Sequence, residues 1–408
     1  MPNTVITERA PALIEKRRGA IQQTISYMKI NREALRDILT EVSTFQTAEE
    51  EIDTAIHVLE NAFKEVETHR PPVISSMSVF MPSNVLLYSY VLYLLIPSLY
   101  VEKIEFRGSS QVIDQVRKLH KVLYPIHGLP IEMLELSHRK FMKESALLAN
   151  AVVFTGSYQN AENIKFQLSR EQLFVFFGHG VNPFILEEHA DIAKSVRDVI
   201  TIRTFNSGQD CMGPDVIYVP AVLQRNFLSL LESGLKELKF GGNQDPSAEY
   251  GPIHYSSAVD IVASHLNQFH EFIHFGGHID YRSKVIHPTI LYSTLQDELP
   301  IKEFFSPIFN VVVYDSLEEL KTVLNSGYFR ERAMGASFYG NKKSSFIEFL
   351  KRKHTVSING NLLDIENGNE EFGGYGPMAN YISYQKQLHI QPLLLSKVLR
   401  DHWEEEES

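Results

Sequence analysis

Cysteine is nearly absent from this chain. Cys211 is the only one in 408 residues, which excludes an intrachain disulfide and any multi-cysteine zinc or iron–sulfur site. Positive charge is also scarce. Lys and Arg number 39 against 50 Asp and Glu, for a net charge of −11, so the surface offers no general attraction to a phosphate backbone, and nucleic acid is not expected as a partner. No membrane span is expected either, because crossing a bilayer takes about 20 apolar residues. The segment 85–101 is uncharged, but it carries Tyr88, Tyr90, Tyr93, Ser89, Ser98 and Pro97 and lacks basic flanks, so it reads as a buried helix. Residues 1–18 show no apolar core behind a basic start, so a secretory signal is unsupported and a cytoplasmic location is expected. What remains is 44% hydrophobic, 11% aromatic and 22% charged. That is the balance of a soluble globular body, long enough for two or three domains at about 100–200 residues each.

From Ile14 to about Thr68, apolar residues recur at helical spacing (Ile21, Ile25, Met28, then Leu35, Ile38, Leu39), predicting two or three amphipathic helices that end at Pro71-Pro72. Short β-rich runs then alternate with helical ones: strands at 76–81, 103–106, 131–136 and 152–154, and helices after Asn84, over 111–122 and from Arg139. A second block begins near Leu173, with strands at 173–177, 216–219 and 311–314 and helices from Ala190, after Gln224 and over 317–324. Alternation of this kind predicts an α/β protein built of βαβ units around largely parallel sheets, a common setting for a dinucleotide site. The run 404–407 reads as a solvated acidic tail.

Asn206-Ser207-Gly208-Gln209-Asp210-Cys211 is the segment with most chemistry. A cysteine after a Gly-containing turn can be held at a strand-to-helix junction, where backbone N–H groups and a helix N-terminus lower its pKa and favour the thiolate. Composition alone favours the opposite reading, an inert buried thiol. The order of other motifs around it changes that balance. Asn-x-Gly-Gln-x-Cys, the Pro82-Ser83-Asn84 turn, Thr155-Gly156-Ser157 and Glu303-Phe304-Phe305-Ser306-Pro307 together resemble the aldehyde dehydrogenase superfamily. Further segments follow in the family's order: Gly128-Leu129-Pro130, Tyr250-Gly251-Pro252-Ile253, His287-Pro288-Thr289-Ile290, Val356-Ser357-Ile358-Asn359 and Phe372-Gly373-Gly374-Tyr375. The resemblance runs from about Ile14 to Leu395. It implies the aldehyde dehydrogenase fold, a Rossmann-like dinucleotide-binding domain with an α/β catalytic domain. It makes Cys211 the nucleophile and Asn84 an oxyanion donor beside the Cys211 N–H. Gly156 and Ser157 become pyrophosphate contacts, and Glu303 and Phe305 nicotinamide-ribose contacts.

Several positions depart from the family pattern. Ser83 stands where the motif has Trp, and Ala161 where it has a second Gly. Phe177, in Phe177-Gly178-His179-Gly180, occupies the position of the Glu that activates the deacylating water. A phenyl ring cannot abstract a proton, so general-base activation of water, typically worth about 100- to 10,000-fold, is expected to be missing. Family members without that Glu pass the acyl group to a thiol such as coenzyme A. His179 as a substitute base, and loss of activity, are the competing expectations. In Lys103-Ile104-Glu105-Phe106-Arg107-Gly108-Ser109-Ser110, Arg107 and Ser110 stand where the family has Lys and the ribose-binding Glu. An Arg with small hydroxyl neighbours such as Ser109 and Ser110 would accept a 2′-phosphate, favouring NADP over NAD, although a plain surface Arg would look the same. The chain also looks shortened before Ile14 and ahead of Pro82, where the family has early strands and part of an oligomerisation hairpin.

The expected organisation is therefore residues 1–176 as N-terminal helices and dinucleotide-binding domain, 177–365 as the catalytic domain, and 366–408 as a segment returning to the cofactor domain, with a strand in 387–395 that could pair within a homo-oligomer. The active site is expected in the cleft between the first two. The expected function is NAD(P)-dependent interconversion of an aldehyde and an acyl thioester through Cys211, with coenzyme A a candidate co-substrate. Aldehyde oxidation with an unusual base is the alternative, and a non-catalytic binding protein of the same fold is the third reading. Tyr-rich 88–100 could line an acyl pocket, but core packing explains it more simply.

Overall fold

The computed structural model describes residues 3–403, so the acidic run 404–407 lies outside the described residues. Three helices open the chain: α1 (Asn3–Ile30), α2 (Arg32–Leu39) and α3 (Phe45–His69). Of their periodic apolar positions, Ile21, Met28, Leu35, Leu39, Ile52 and Leu59 are buried and Ile25 and Ile38 partly so, as an amphipathic stripe facing a core must be. Thr44 caps α3, its Oγ1 accepting from the Thr47 N–H at 3.4 Å, and Arg70 ends it in the left-handed region at φ 50°.

Strand–helix alternation follows with β1 (Ile74–Phe80), α4 (Leu86–Tyr90), β2 (Val101–Arg107), α5 (Ile113–His127), β3 (Ile131–Met133), α6 (His138–Glu144), β4 (Ala151–Thr155), α7 (Tyr158–Gln167) and β5 (Leu173–Phe177). The chain then crosses to a second sheet through β6 (Pro183–Leu186), α8 (Ile192–Thr204), β7 (Val216–Pro220), α9 (Gln224–Glu237), α10 (Ser256–Gln268), β8 (Ile273–Phe275), the pair β9 (Ile279–Asp280) and β10 (Val285–Ile286), β11 (Thr289–Thr294) and β12 (Ile308–Tyr314). It continues with α11 (Leu317–Leu324), α12 (Gly327–Glu331), β13 (Gly335–Tyr339), α13 (Ser345–Lys351) and β14 (Thr355–Ile358), and closes with β15 (Asn380–Tyr384), β16 (Gln387–His389) and α14 (Leu395–His402).

The first sheet has the order β16-β15-β5-β4-β1-β2-β3 and the second β14-β13-β6-β7-β12-β11-β8. β1 to β5 run parallel to their neighbours, while β15 and β16 are antiparallel additions. The run 173–177, read from sequence as opening the second block, is thus the fifth strand of the first sheet. Its nearly continuous apolar character suits a strand covered on both faces, and periodicity alone could not say which sheet it joins. Within 387–395 only Gln387–His389 forms a strand, at the sheet's edge.

In the first sheet the strand order reverses at β1. The pairings Phe80 with Arg107, Phe80 with Phe154 and Thr155 with Phe177 bring the carboxyl ends of β2, β1, β4 and β5 into one row. The crevice outside such an edge is where open α/β sheets bind ligands.

Segment 85–101 is buried as expected, but not as one regular helix. After α4 it passes through a π-helical turn, Val91–Leu95, and a 3₁₀ turn, Pro97–Leu99. Among the described residues no helix is long and apolar enough to cross a membrane. The end of this segment is tied down by Arg17 of α1, which is 8% exposed. Its guanidinium donates to the carbonyls of Ser98, of Val101 at 2.5 Å and of Glu102 at 2.8 Å. Ser98 lies in the closing 3₁₀ turn and Val101 and Glu102 at the start of β2, and one planar guanidinium serves the carbonyls of all three. Arg17→Leu is expected to lower stability by about 3 kcal/mol, since charged hydrogen bonds to buried carbonyls are lost. The measurement is the shift in urea unfolding midpoint at constant slope, and no shift would refute this account of α1.

Candidate active site

The cysteine loop grows out of α8. After Thr204 the chain makes a 3₁₀ turn, Phe205–Gly208, in which Asn206, Ser207 and Gly208 take φ of 48°, 56° and 81° in succession. A Cβ at Gly208 would stand 2.4 Å from the Ser306 carbonyl carbon, so glycine is required there for both conformation and space. Side-chain to backbone bonds with distant segments fix this turn. The Asn206 N–H donates to Thr47 Oγ1 of α3 at 2.9 Å, the Gly251 N–H to Ser207 Oγ at 2.8 Å, and the His254 N–H to Gln209 Oε1 at 2.8 Å.

Cys211 itself sits in a turn that leads into β7. The strand-to-helix junction expected from sequence is therefore not formed: the segment after Cys211 leads into a strand. Burial pushes the Cys211 thiol well above its ordinary pKa, and the neighbouring carboxyls of Asp210 and Glu303 push it further the same way. The thiolate-favouring field predicted for this residue is reversed: acidic groups surround it.

Asn182 clamps the loop from below. Its Nδ2 donates to the carbonyls of Cys211 at 2.6 Å and Gly213 at 3.2 Å, its Oδ1 accepts from the Gly335 N–H at 2.9 Å, and its own N–H donates to Asp215 Oδ2 at 2.8 Å. Arg203, 1% exposed, joins the loop to 303–306. It donates to the Phe304 carbonyl and to that of Ser306 at 2.7 Å. Burial raises Asp215 to about 7, opposed by Arg203, and raises Glu303 well above the carboxylate range, with Asp215 adding to the rise.

Cys211, Asn84 and Phe177 line one cavity of about 470 Å³. The Phe177 ring packs against Tyr93 with centroids 5.3 Å apart. Tyr88, Leu92, Tyr93, Ile96 and Tyr100 also line the cavity while packing in or against the hydrophobic core, so the segment takes both expected roles; the π-helical turn contributes Leu92 and Tyr93 to the wall. Glu51, Asp210 and Glu366 were not singled out from sequence, yet they line the same space. Glu51 holds the start of α4, accepting from the N–H groups of Leu87 at 2.6 Å and Tyr88 at 3.1 Å, and burial pushes its pKa up to about 7. A signal for it exists in the sequence: Glu51 falls on the apolar stripe of α3 with Ala48, Ile52 and Ala55, all of them buried.

His179 is not among the residues lining this cavity. Its side chain is 46% exposed, and Nδ1 lies 3.1 Å from Glu303 Oε2, while burial and Arg332 lower its pKa. A base at Cys211 is not where the Gly178-His179-Gly180 turn puts this imidazole.

The remaining predicted residues lie along the carboxyl edge of the first sheet or on the loop facing it. Arg107 ends β2, half-buried; its Nε is buried with no hydrogen-bond partner, and no carboxylate pairs with it among the described residues. Ser109 is partly buried and Ser110 exposed in the following turn. Gly156 donates its N–H to the Phe177 carbonyl at 3.0 Å, and a Cβ there would meet the Phe154 ring at 2.7 Å. Ser157 caps α7, its Oγ accepting from the Asn160 N–H at 3.4 Å. Glu303 Oε1 is buried and unpartnered, and Phe305 packs edge-on to Tyr255, whose hydroxyl donates to the Ser83 carbonyl beside Asn84.

Residues 144–378, more than half of the chain, match the family model described as the aldehyde dehydrogenase family. The chain belongs to the aldehyde dehydrogenase family. Among curated family members it is 28% identical over 230 residues to a 4,4′-diaponeurosporen-aldehyde dehydrogenase of Staphylococcus aureus and 25% identical over 234 residues to a 4,4′-diapolycopene-4,4′-dial dehydrogenase of Cytobacillus firmus. Each alignment takes in 55% of this chain and 49% of the relative, so the match spans about half the length of these aldehyde dehydrogenases. The fold likeness reaches further. A succinic semialdehyde dehydrogenase from Streptococcus pyogenes, solved with NADP+, superposes with a TM-score of 0.80 over 96% of this chain and 95% of that one at 18% identity. A glyceraldehyde-3-phosphate dehydrogenase from Methanocaldococcus jannaschii, solved with NADP, gives 0.78 over 96% and 95% at 20% identity. Both likenesses are of fold, and they establish the aldehyde dehydrogenase fold along nearly the whole chain.

The reversed field at Cys211 has a measurable consequence. Because a raised pKa removes thiolate, alkylation by iodoacetamide at pH 7 is expected to run more slowly than that of an unperturbed thiol. Asp210→Asn removes a neighbouring negative charge and is expected to speed alkylation. A native rate at or above that of free cysteine would refute the reading.

Proposed function

We propose that the chain is an NAD(P)-dependent oxidoreductase interconverting an aldehyde and an acyl thioester through an acyl group carried on Cys211. The observation that carries this reading is the shared cavity of Cys211, Asn84 and Phe177, a nucleophile and an amide donor accompanied by a ring that can neither take a proton nor hold water.

In the reducing direction, Cys211 Sγ attacks the thioester carbonyl and the proton leaves the thiol. The oxyanion is held by the Asn84 amide and the Cys211 N–H, a contribution typically of about 100- to 1000-fold for one donor. Its collapse breaks the carbon–sulfur bond of the thioester, the departing thiolate takes up the proton that Cys211 gave up, and the acyl group is left on Sγ. A nicotinamide dinucleotide, when bound, supplies the hydride. The same two donors then receive the oxyanion again, and Sγ departs as the aldehyde forms. Phe177 keeps water from the acyl group between these steps.

The residues present fit such a cofactor. Arg107, with a buried Nε that lacks a partner, Ser109 and Ser110 would hold the adenosine side. Gly156, where a Cβ has no room, and Ser157 at the start of α7 would meet the pyrophosphate. Glu303, with an unpartnered Oε1, and Phe305 would hold the nicotinamide ribose. An Arg free of carboxylates favours NADP over NAD. The curated relatives are named for aldehyde oxidation, and the same machinery read in that direction needs a base for water. Asp210 favours this second reading: it lines the cavity, the Met212 N–H holds its Oδ1 at 2.8 Å, and burial raises its pKa, the direction a general base requires.

Turnover separates these readings. Acyl-CoA with NADPH is expected to give Cys211-dependent loss of nicotinamide absorbance, abolished in Cys211→Ser. Aldehyde with NADP+ giving free acid, lost in Asp210→Asn, would favour the second reading, and no Cys211-dependent turnover with either pair would leave a binding protein of this fold. Phe177→Glu is expected to raise hydrolysis of the acyl-enzyme at least tenfold, read by mass spectrometry of the decaying adduct. Arg107→Ala is expected to weaken NADPH binding at least tenfold and NADH binding little, measured by fluorescence titration; equal losses would remove the 2′-phosphate assignment.

A further inference from the structure

The wall of the Cys211 cavity contains carboxyl groups on several sides and no Lys, Arg or His. Glu51 and Glu65 come from α3, and Glu366 from the loop after β14. None of these three forms an ion pair among the described residues. Each is held by neutral donors instead: Glu51 by two backbone N–H groups, Glu366 by the Tyr88 hydroxyl, and Glu65 by Asn369 Nδ2 at 2.8 Å. Burial raises the pKa of all three, as expected for carboxyls desolvated without a counter-cation.

A second feature points the same way. Tyr100, 1% exposed, lines this cavity, and its hydroxyl is buried with no hydrogen-bond partner. Tyr88 and Tyr93 bring two more aromatic rings to the wall, and Leu92 and Ile96 add apolar surface. Electron-rich rings, a phenol hydroxyl without a partner and carboxyls without a cation suit a positively charged nitrogen on an apolar chain. An anionic tail would meet carboxyls and no donor of positive charge.

We propose that the cavity takes a carbonyl substrate whose chain carries a cationic nitrogen, ammonium or quaternary ammonium, several carbons from the reacting carbon, and that it turns away chains ending in carboxylate or phosphate. This specificity rests on the reading of Cys211 as the carbonyl-attacking group, but its test does not use turnover. Calorimetric titration of the full chain with n-hexylammonium, 1-hexanol and n-hexanoate at equal ionic strength ranks the three tails in the absence of chemistry. The ammonium is expected to bind at least tenfold more tightly than the alcohol, and the carboxylate more weakly than either. Glu65→Gln and Glu366→Gln are each expected to weaken the ammonium about tenfold and leave the alcohol unchanged, whereas Glu348→Gln, on the exposed face of α13, is expected to change neither. An ammonium no tighter than the alcohol, a carboxylate that binds as well, no binding by any probe, or equal effects of the cavity and surface variants would each overturn the proposal. The ranking in the unaltered protein decides even if a variant fails to fold. Because these probes do not react, failure of the carbonyl reading at Cys211 shows in the turnover assays and failure of the specificity shows here.

Discussion

The side-chain clamp of Asn182 is the contact on which the site depends. The chain around Cys211 has no regular structure of its own: it leaves a left-handed turn, bends twice and enters β7. Loops of this kind hold a fixed shape only when their backbone groups find partners elsewhere. One amide side chain supplies several of these at once, reaching the carbonyls of residues 211 and 213 while its other end takes the N–H of Gly335 at the start of β13. Cys211 is therefore positioned relative to the second sheet, while Asn84 and Phe177 are positioned by the first.

Arg203 makes the complementary tie. A fully buried guanidinium is costly to desolvate and survives where its protons are used; here the carbonyls of Phe304 and Ser306 use them. Asp210, Asp215 and Glu303 are close enough to influence it and one another, so the interior beside Cys211 is a shared electrostatic system with one cation and three carboxyls. Burial raises the thiol, and these carboxyls add to the rise. Charge arriving with a ligand would act on all of these groups together.

The main architecture was readable in sequence because periodicity carried it. The amphipathic stripes before Pro71, the apolar strands and the turns at 82–84 and 155–157 all follow from local pattern, and the strand order then brings those turns to one edge. Sheet membership of 173–177 was not readable, since a doubly covered strand looks alike in either sheet. The environment of Cys211 was misjudged for a related reason: its motif fixes a turn, but whether a helix or a strand follows depends on Asn182 and on pairing between distant strands. Tyr88, Tyr93 and Tyr100 look the same in sequence whether they fill a core or line a cavity, because both demand apolar surface. Glu51 gave the clearest unused signal, a carboxylate on a stripe of buried Ala and Ile. His179 was drawn to the site by its neighbours in sequence, yet its turn carries it toward Glu303.

The hydrogen bond from the Asn206 peptide to Thr47 links the first helices to the reactive loop across 159 positions of sequence. α3 also contributes Glu51 and Glu65 to the cavity wall. The opening helices are thus half of a vise: one jaw grips the peptide five residues ahead of the thiol, and the same jaw presents the surface that a bound chain would touch. A shift of α3 along its axis would therefore move the cavity wall and the turn that precedes Cys211 together.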